Sequence, residues 1–212
     1  MQEIIYGNPC IEEKKIIETP CLVGSIFEQA KEKTFPFNDS ELVKDELNEL
    51  VDLTSSMHDP ENNEFLLRYK AYDRNLINAI ISTFKQKGID CEELSHNIVS
   101  DISPVILKLK YFFKRPRPHQ LAGQYKLALF PFKSYSDKSP SYPSENTILA
   151  FVILNVIGNK HPQHYHFCKA MAEDVGISRI YLGLNFPSDI DFSKFVGKEI
   201  LKHSEFSKKY EI

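Results

Sequence analysis

The chemistry of this 212-residue chain rests on a set of cations and two asparagines. Lys110, Arg117 and Arg179 offer an ammonium and two guanidiniums, and Ser144 adds a hydroxyl. A tetrahedral oxyanion such as phosphate needs several donors converging on its oxygens, and guanidiniums, ammonium groups and helix amides supply them. Beside these stand Glu145, Asn146, Asn185 and Asp189. Asp189 follows Asn185 by four residues, which puts both on the same side of a helical turn. A carboxamide has no basic lone pair and does not titrate near neutrality, so Asn146 and Asn185 cannot do the work of an imidazole. What the chain binds is therefore easier to infer than what it does.

Helices must position these groups. Apolar residues recur at helical spacing from a capping box at Asn38–Glu41 through Leu53, and again over residues 62–86 with Gly88 as the stop. A third pattern runs from about Glu92 to Phe113, with an interruption expected at Pro104 and an end at Pro116 and Pro118. A loop of about 25 residues, rich in Ser, Pro and Tyr, follows, and such a loop usually serves function. Three more helices are expected over 147–157, 163–184 and 188–203, with both chain ends as short tails. Lys110 then lies at one helix end, Ser144 opens another, Arg179 sits near the end of a third, and Asn185 and Asp189 flank the start of a fourth. The opening turn at Ser144 would direct free amides and the positive end of its dipole toward an anion. No alternating strand pattern is present, so the expected fold class is all-α, a single-domain helical bundle over residues 1–212.

In order and interval, three stretches resemble the type 2 phosphatidic acid phosphatase and vanadium haloperoxidase superfamily, most closely its small soluble bacterial acid phosphatases. The family's first motif, Lys, six residues, Arg-Pro, is matched by Lys110 with Arg117-Pro118. Lys108 with Arg115-Pro116 has the same spacing, and the later register is preferred because in the soluble members Arg-Pro closes the run. Pro-Ser-Gly-His corresponds to Pro143-Ser144-Glu145-Asn146, and Ser-Arg, five residues, His, three residues, Asp to Ser178-Arg179, Asn185 and Asp189. The resemblance spans roughly residues 100–195.

The resemblance implies phosphate binding by Lys110, Arg117, Ser144 and Arg179, with Glu145 adding a negative charge beside the phosphate. In the family, the histidine matched by Asn185 attacks phosphorus, the Asp matched by Asp189 orients it, and the histidine matched by Asn146 protonates the leaving oxygen. The implied function is thus a phosphate- or oxyanion-binding member with lost or strongly reduced hydrolysis, taking a phosphorylated small molecule as partner. It requires no cofactor and can hold phosphate, sulfate or vanadate. An active phosphomonoesterase or phosphotransferase with a substitute nucleophile, best His119, is the alternative. Haloperoxidase activity is weaker, because the histidine that coordinates vanadate is Asn185 here. The paired changes fit a natural pseudoenzyme or an inactivated variant, and Glu145 favours natural divergence.

Composition narrows the surroundings. A formal net charge of -3 gives no general attraction to nucleic acid or anionic lipid. No stretch of 18 uncharged apolar residues is present and the first residues lack a signal-peptide pattern, so a membrane partner is not expected and a cytoplasmic location is. The four cysteines are widely spaced and expected as free thiols, and no metal site is expected at His161, His164 and His166.

Overall fold

A computed structural model describes residues 6–212. In chain order its helices are α1 (Ile11–Glu18), α2 (Ile26–Ala30), α3 (Glu41–Ser56), α4 (Asn63–Lys85), α5 (Glu92–Phe113), α6 (Pro118–Ala122), α7 (Glu145–Lys160), α8 (Tyr165–Tyr181), α9 (Pro187–Lys202) and α10 (Ser204–Tyr210). No strand occurs among the described residues, so the fold is all-α as expected.

The most apolar helix is the central one. α7 buries Ile148, Leu149, Val152, Ile153, Leu154, Val156 and Ile157, residues that fall on every face of the helix. A helix apolar all round must be surrounded, and α7 packs against α5, α8 and α9. Its neighbours are amphipathic and turn one stripe inward, for example Ile98, Ile102, Val105 and Leu109 on α5. Both are long enough to carry functional groups at their ends while the middles hold the core.

Several boundaries differ from expectation. α3 opens at Ser40 rather than Asn38, because Ser40 is extended and its Oγ accepts from Val43 N at 3.3 Å. α5 passes through Pro104 without interruption: a proline costs one backbone bond, and the burial of Val105, Ile106 and Leu109 around it outweighs that loss. α4 is broken instead where no breaker was visible. Asn75 leaves helical geometry (φ -162°, ψ 91°), and its Oδ1 accepts from Asn78 N at 3.0 Å, so the helix is re-capped in mid-course.

Within the described residues, 6–212, the ends are not tails. α1 packs on α5, where Tyr111 Oη donates to Glu13 at 2.6 Å. At the other end Tyr210 Oη and Lys209 Nζ both reach Asp101 of α5 at 2.6 Å. These helices are short and carry little apolar periodicity, which is why composition marked them as tails. The loop after Pro118 is shorter than expected, because α6 and a 3-10 turn at Gly123–Tyr125 take up its first part. All four cysteines are free.

Candidate anion-binding site

Two guanidiniums leave the same short non-helical run for different partners. α5 ends at Lys114, whose left-handed backbone (φ 51°) returns its N–H to Lys110 O at 2.8 Å. Arg115 and Arg117 follow two residues apart, which in an extended run puts them on one side, and they reach two side chains that are bonded to each other: Arg115 donates to Asp189 and Arg117 to Asn185. Arg117 turns toward a small polar cavity of about 10 Å³, roughly the room of one water. Lys110, Ser136, Ser144, Glu145, Asn146, Arg179 and Asn185 complete its lining. Residues far apart in sequence therefore converge as expected. Of the two registers, only Lys110 with Arg117 lines this cavity: Lys110 is 1% exposed, whereas Lys108 lies at the surface with its Nζ 4.4 Å from the Phe27 ring centre.

Every cation in the cavity is held by the chain's own oxygens. Lys110 Nζ donates to Pro140 O at 2.7 Å. Arg117 donates to Ser139 O and Leu184 O at 2.9 Å and to Ser136 O at 3.1 Å. Arg179 Nη1 meets Asp73 Oδ1 at 2.7 Å, and its Nη2 donates to Ser136 Oγ at 2.8 Å. Asn185 lies at the centre. Its Oδ1 accepts from Arg117 Nη1 at 3.2 Å and Arg179 Nε at 3.4 Å, and its Nδ2 donates to Ser141 O at 2.7 Å and Asp189 Oδ2 at 3.1 Å. A neutral oxygen thus faces the two guanidiniums.

Ser144 caps α7 without a capping hydrogen bond of its own; its Oγ accepts from Thr147 Oγ1 at 2.8 Å, and its N–H donates to Ser193 Oγ at 2.8 Å. Asn146 borders the cavity and its carboxamide makes no hydrogen bond among the described residues. His119 is the predicted residue that the fold keeps out: it is exposed on α6 and is not part of the cavity lining. Its one-residue offset from Pro118 places it on the outer face of that short helix.

Sequence reasoning missed three supports. Asp189 is fully buried and is gripped by Arg115 Nη1 at 2.5 Å and by Phe186 N at 2.9 Å. Arg115 reaches on to Glu46 Oε2 at 3.4 Å, and Glu46 accepts from Ser188 N at 2.6 Å. Asp73 anchors the 134–136 segment by accepting from Ser134 Oγ, Tyr135 N and Ser136 Oγ at 2.8, 2.8 and 2.7 Å. A signal existed for two of them. Glu46 and Asp73 fall on the buried stripes of α3 and α4, with Val43 and Leu50, and with Tyr69 and Leu76, and a carboxylate on an apolar stripe calls for a partner. Among the described residues no cluster of three His, Cys, Asp or Glu side chains could hold a metal.

Burial sets the titration of the cations. Desolvation, reinforced by the charge of Arg117, lowers Lys110 to about 7, with Glu145 and Asp189 pulling the other way. Desolvation and then Arg179 lower Arg117 to about 10. Burial alone would raise Asp73, but the Arg179 charge and the hydrogen bonds from Arg179, Ser136 and Tyr135 outweigh it and hold the carboxyl below its ordinary value. A protonated Lys110 is the form that favours an anion, so binding is strongest below a pH of about 7 and weakens as pH rises through it. Sulfate, which stays doubly charged throughout, should bind at least about 10-fold more weakly at about pH 9 than at about pH 6, and Lys110→Gln should flatten that profile. Equal affinities across the range, measured by calorimetry, would remove Lys110 from the site.

The profile of the PAP2 superfamily matches residues 94–201, just over half of the chain. Among solved structures, the chain is similar to the first transmembrane PAP2 type phosphatidylglycerolphosphate phosphatase from Bacillus subtilis, with 17% sequence identity, a TM-score of 0.54 and 95% of each chain covered. At that identity the likeness is one of fold. No curated protein matches the chain. The solved neighbour is a transmembrane protein, whereas among the described residues here no helix is long and apolar enough to cross a membrane.

Proposed function

The chain belongs to the PAP2 superfamily, and from that premise we propose that it binds a phosphorylated small molecule while its histidine-dependent phosphomonoester hydrolysis is lost or strongly reduced. The observation that carries this reading is the placement of Asn185. Its oxygen faces Arg117 and Arg179, and its amide is spent on Asp189 and Ser141. The nitrogen lone pair of a carboxamide is delocalised into its carbonyl and does not attack phosphorus, and Asn146 offers no acidic proton to a leaving oxygen. The binding groups remain, because Lys110, Arg117, Arg179 and the opening of α7 surround one cavity, and a phosphate would enter its water-sized space by displacing the internal oxygens that these cations now hold. The solved neighbour acts, by its name, on a phosphorylated glycerolipid, which supports a phosphate monoester as the recognised group.

Two measurements on the unmodified protein test this. Phosphate should bind with a dissociation constant of about 1 mM or tighter at low salt. Hydrolysis of an aryl phosphate should stay at the level of the buffer. Absence of binding would overturn the pocket and make Glu145, one residue from Ser144, the first suspect. Robust turnover would overturn the loss of activity. His119→Ala and Glu145→Gln would then separate an outside nucleophile from the one carboxylate among the cavity-lining residues.

A further inference from the structure

A second and much larger cavity, of about 630 Å³, lies between α4 and the segment Lys133–Tyr135. That volume suits a small organic ligand rather than a single ion. Its charged lining is Lys70, Arg74, Lys133 and Asp73. Asp73 is already committed to Arg179 and the 134–136 segment, so its charge is spent inward. None of the three cations is ion-paired to a carboxylate among the described residues. Lys70 and Arg74 stand instead near aromatic rings, 5.1 Å from the Phe132 centre and 5.7 Å from that of Tyr135. With Asp73 paired inward, Lys70, Arg74 and Lys133 leave this cavity with a positive lining in a chain whose overall net charge is -3.

Part of the wall suits carbon. Leu67 and Tyr135, 66% and 59% exposed, offer an apolar side chain and an aromatic ring along the opening. The break in α4 falls in the same place, since Asn75 and Asn78 both line the cavity. We propose that this cavity is a binding site for a small organic anion that has an aromatic or apolar part. It is separate from the site around Asn185, although the two share a wall: Tyr135 lines the one and Ser136, the next residue, lines the other.

Naphthalene-1,5-disulfonate is a suitable probe, because it is aromatic, does not titrate and is far bulkier than the inorganic anions expected at the smaller cavity. Calorimetry on the full chain should show saturable binding. The triple variant Lys70→Gln/Arg74→Gln/Lys133→Gln should weaken it by at least about 10-fold, as expected when several charge-assisted contacts are removed. These three side chains are exposed, so the variant should fold, and inorganic phosphate affinity provides the internal control. Lys110→Gln should leave disulfonate binding unchanged. Unaltered affinity in the triple variant, or its loss in Lys110→Gln, would overturn the proposal. Failure of phosphate binding alone would count only against the smaller cavity.

Discussion

Replacing Asn146 and Asn185 together by histidine is expected to raise aryl phosphate hydrolysis by at least about 10²-fold over the unmodified chain, the lower end of what one general acid contributes. The surroundings needed by an imidazole at 185 are in place. Asp189 Oδ2 lies 3.1 Å from the Asn185 amide and could accept a ring N–H, leaving the other ring nitrogen for the cavity. Lys110, Arg117 and Arg179 are positioned to stabilise charge developing on phosphoryl oxygens. Asn185→His alone should give a slow or trapped phosphohistidine, detectable by phosphorus NMR, because no acid then assists the leaving oxygen. Asn146→His alone should do little. A folded double variant with unchanged turnover would show that loss of the histidines is not what limits this site.

Arg115→Met is expected to cost about 3–5 kcal/mol of stability, the range for removing one partner from a buried ion pair. That is a large part of the roughly 5–15 kcal/mol that holds an ordinary domain folded. Arg115 and Asp189 are both 0% exposed, and Glu46 is almost as deeply buried. Without the guanidinium two carboxylates face each other in an apolar setting, against the Phe186 ring that lies 4.0 Å from Arg115. Glu46 already feels this conflict: burial raises it above its ordinary value despite the Ser188 hydrogen bonds and the Arg115 charge. Adding Glu46→Gln to the Arg115 variant should therefore recover part of the loss. Urea unfolding would measure both, and a cost below about 1 kcal/mol for the single variant would mean that the triad does not brace α9.

The long helices were legible because their apolar residues repeat over three or more turns, and the three motifs were legible because their spacing is independent of the fold. Other features were not. Lys108 with Arg115 and Lys110 with Arg117 are the same pattern in sequence, and only folding separates them, one guanidinium going to Asp189 and the other to the cavity. His119 looked close to the site because it is close in sequence, but α6 turns it outward. The partners of Arg179 come from Asp73 and Ser136, and no local spacing announces a contact between α4, a loop and α8. The break at Asn75 depends on a side chain bonding its own backbone three residues on, which asparagine does without help from glycine or proline.

The carbonyls of Pro140, Ser139 and Leu184, together with Asp73 and the Asn185 oxygen, already hold many of the donors that an anion would use. Capture of a ligand is then an exchange, in which each new contact is worth only its advantage over the one it displaces. A neutral oxygen gains nothing against a peptide carbonyl, a monoanion gains modestly, and a dianion gains most. Discrimination by charge is thus built into a resting arrangement in which the guanidiniums already have partners.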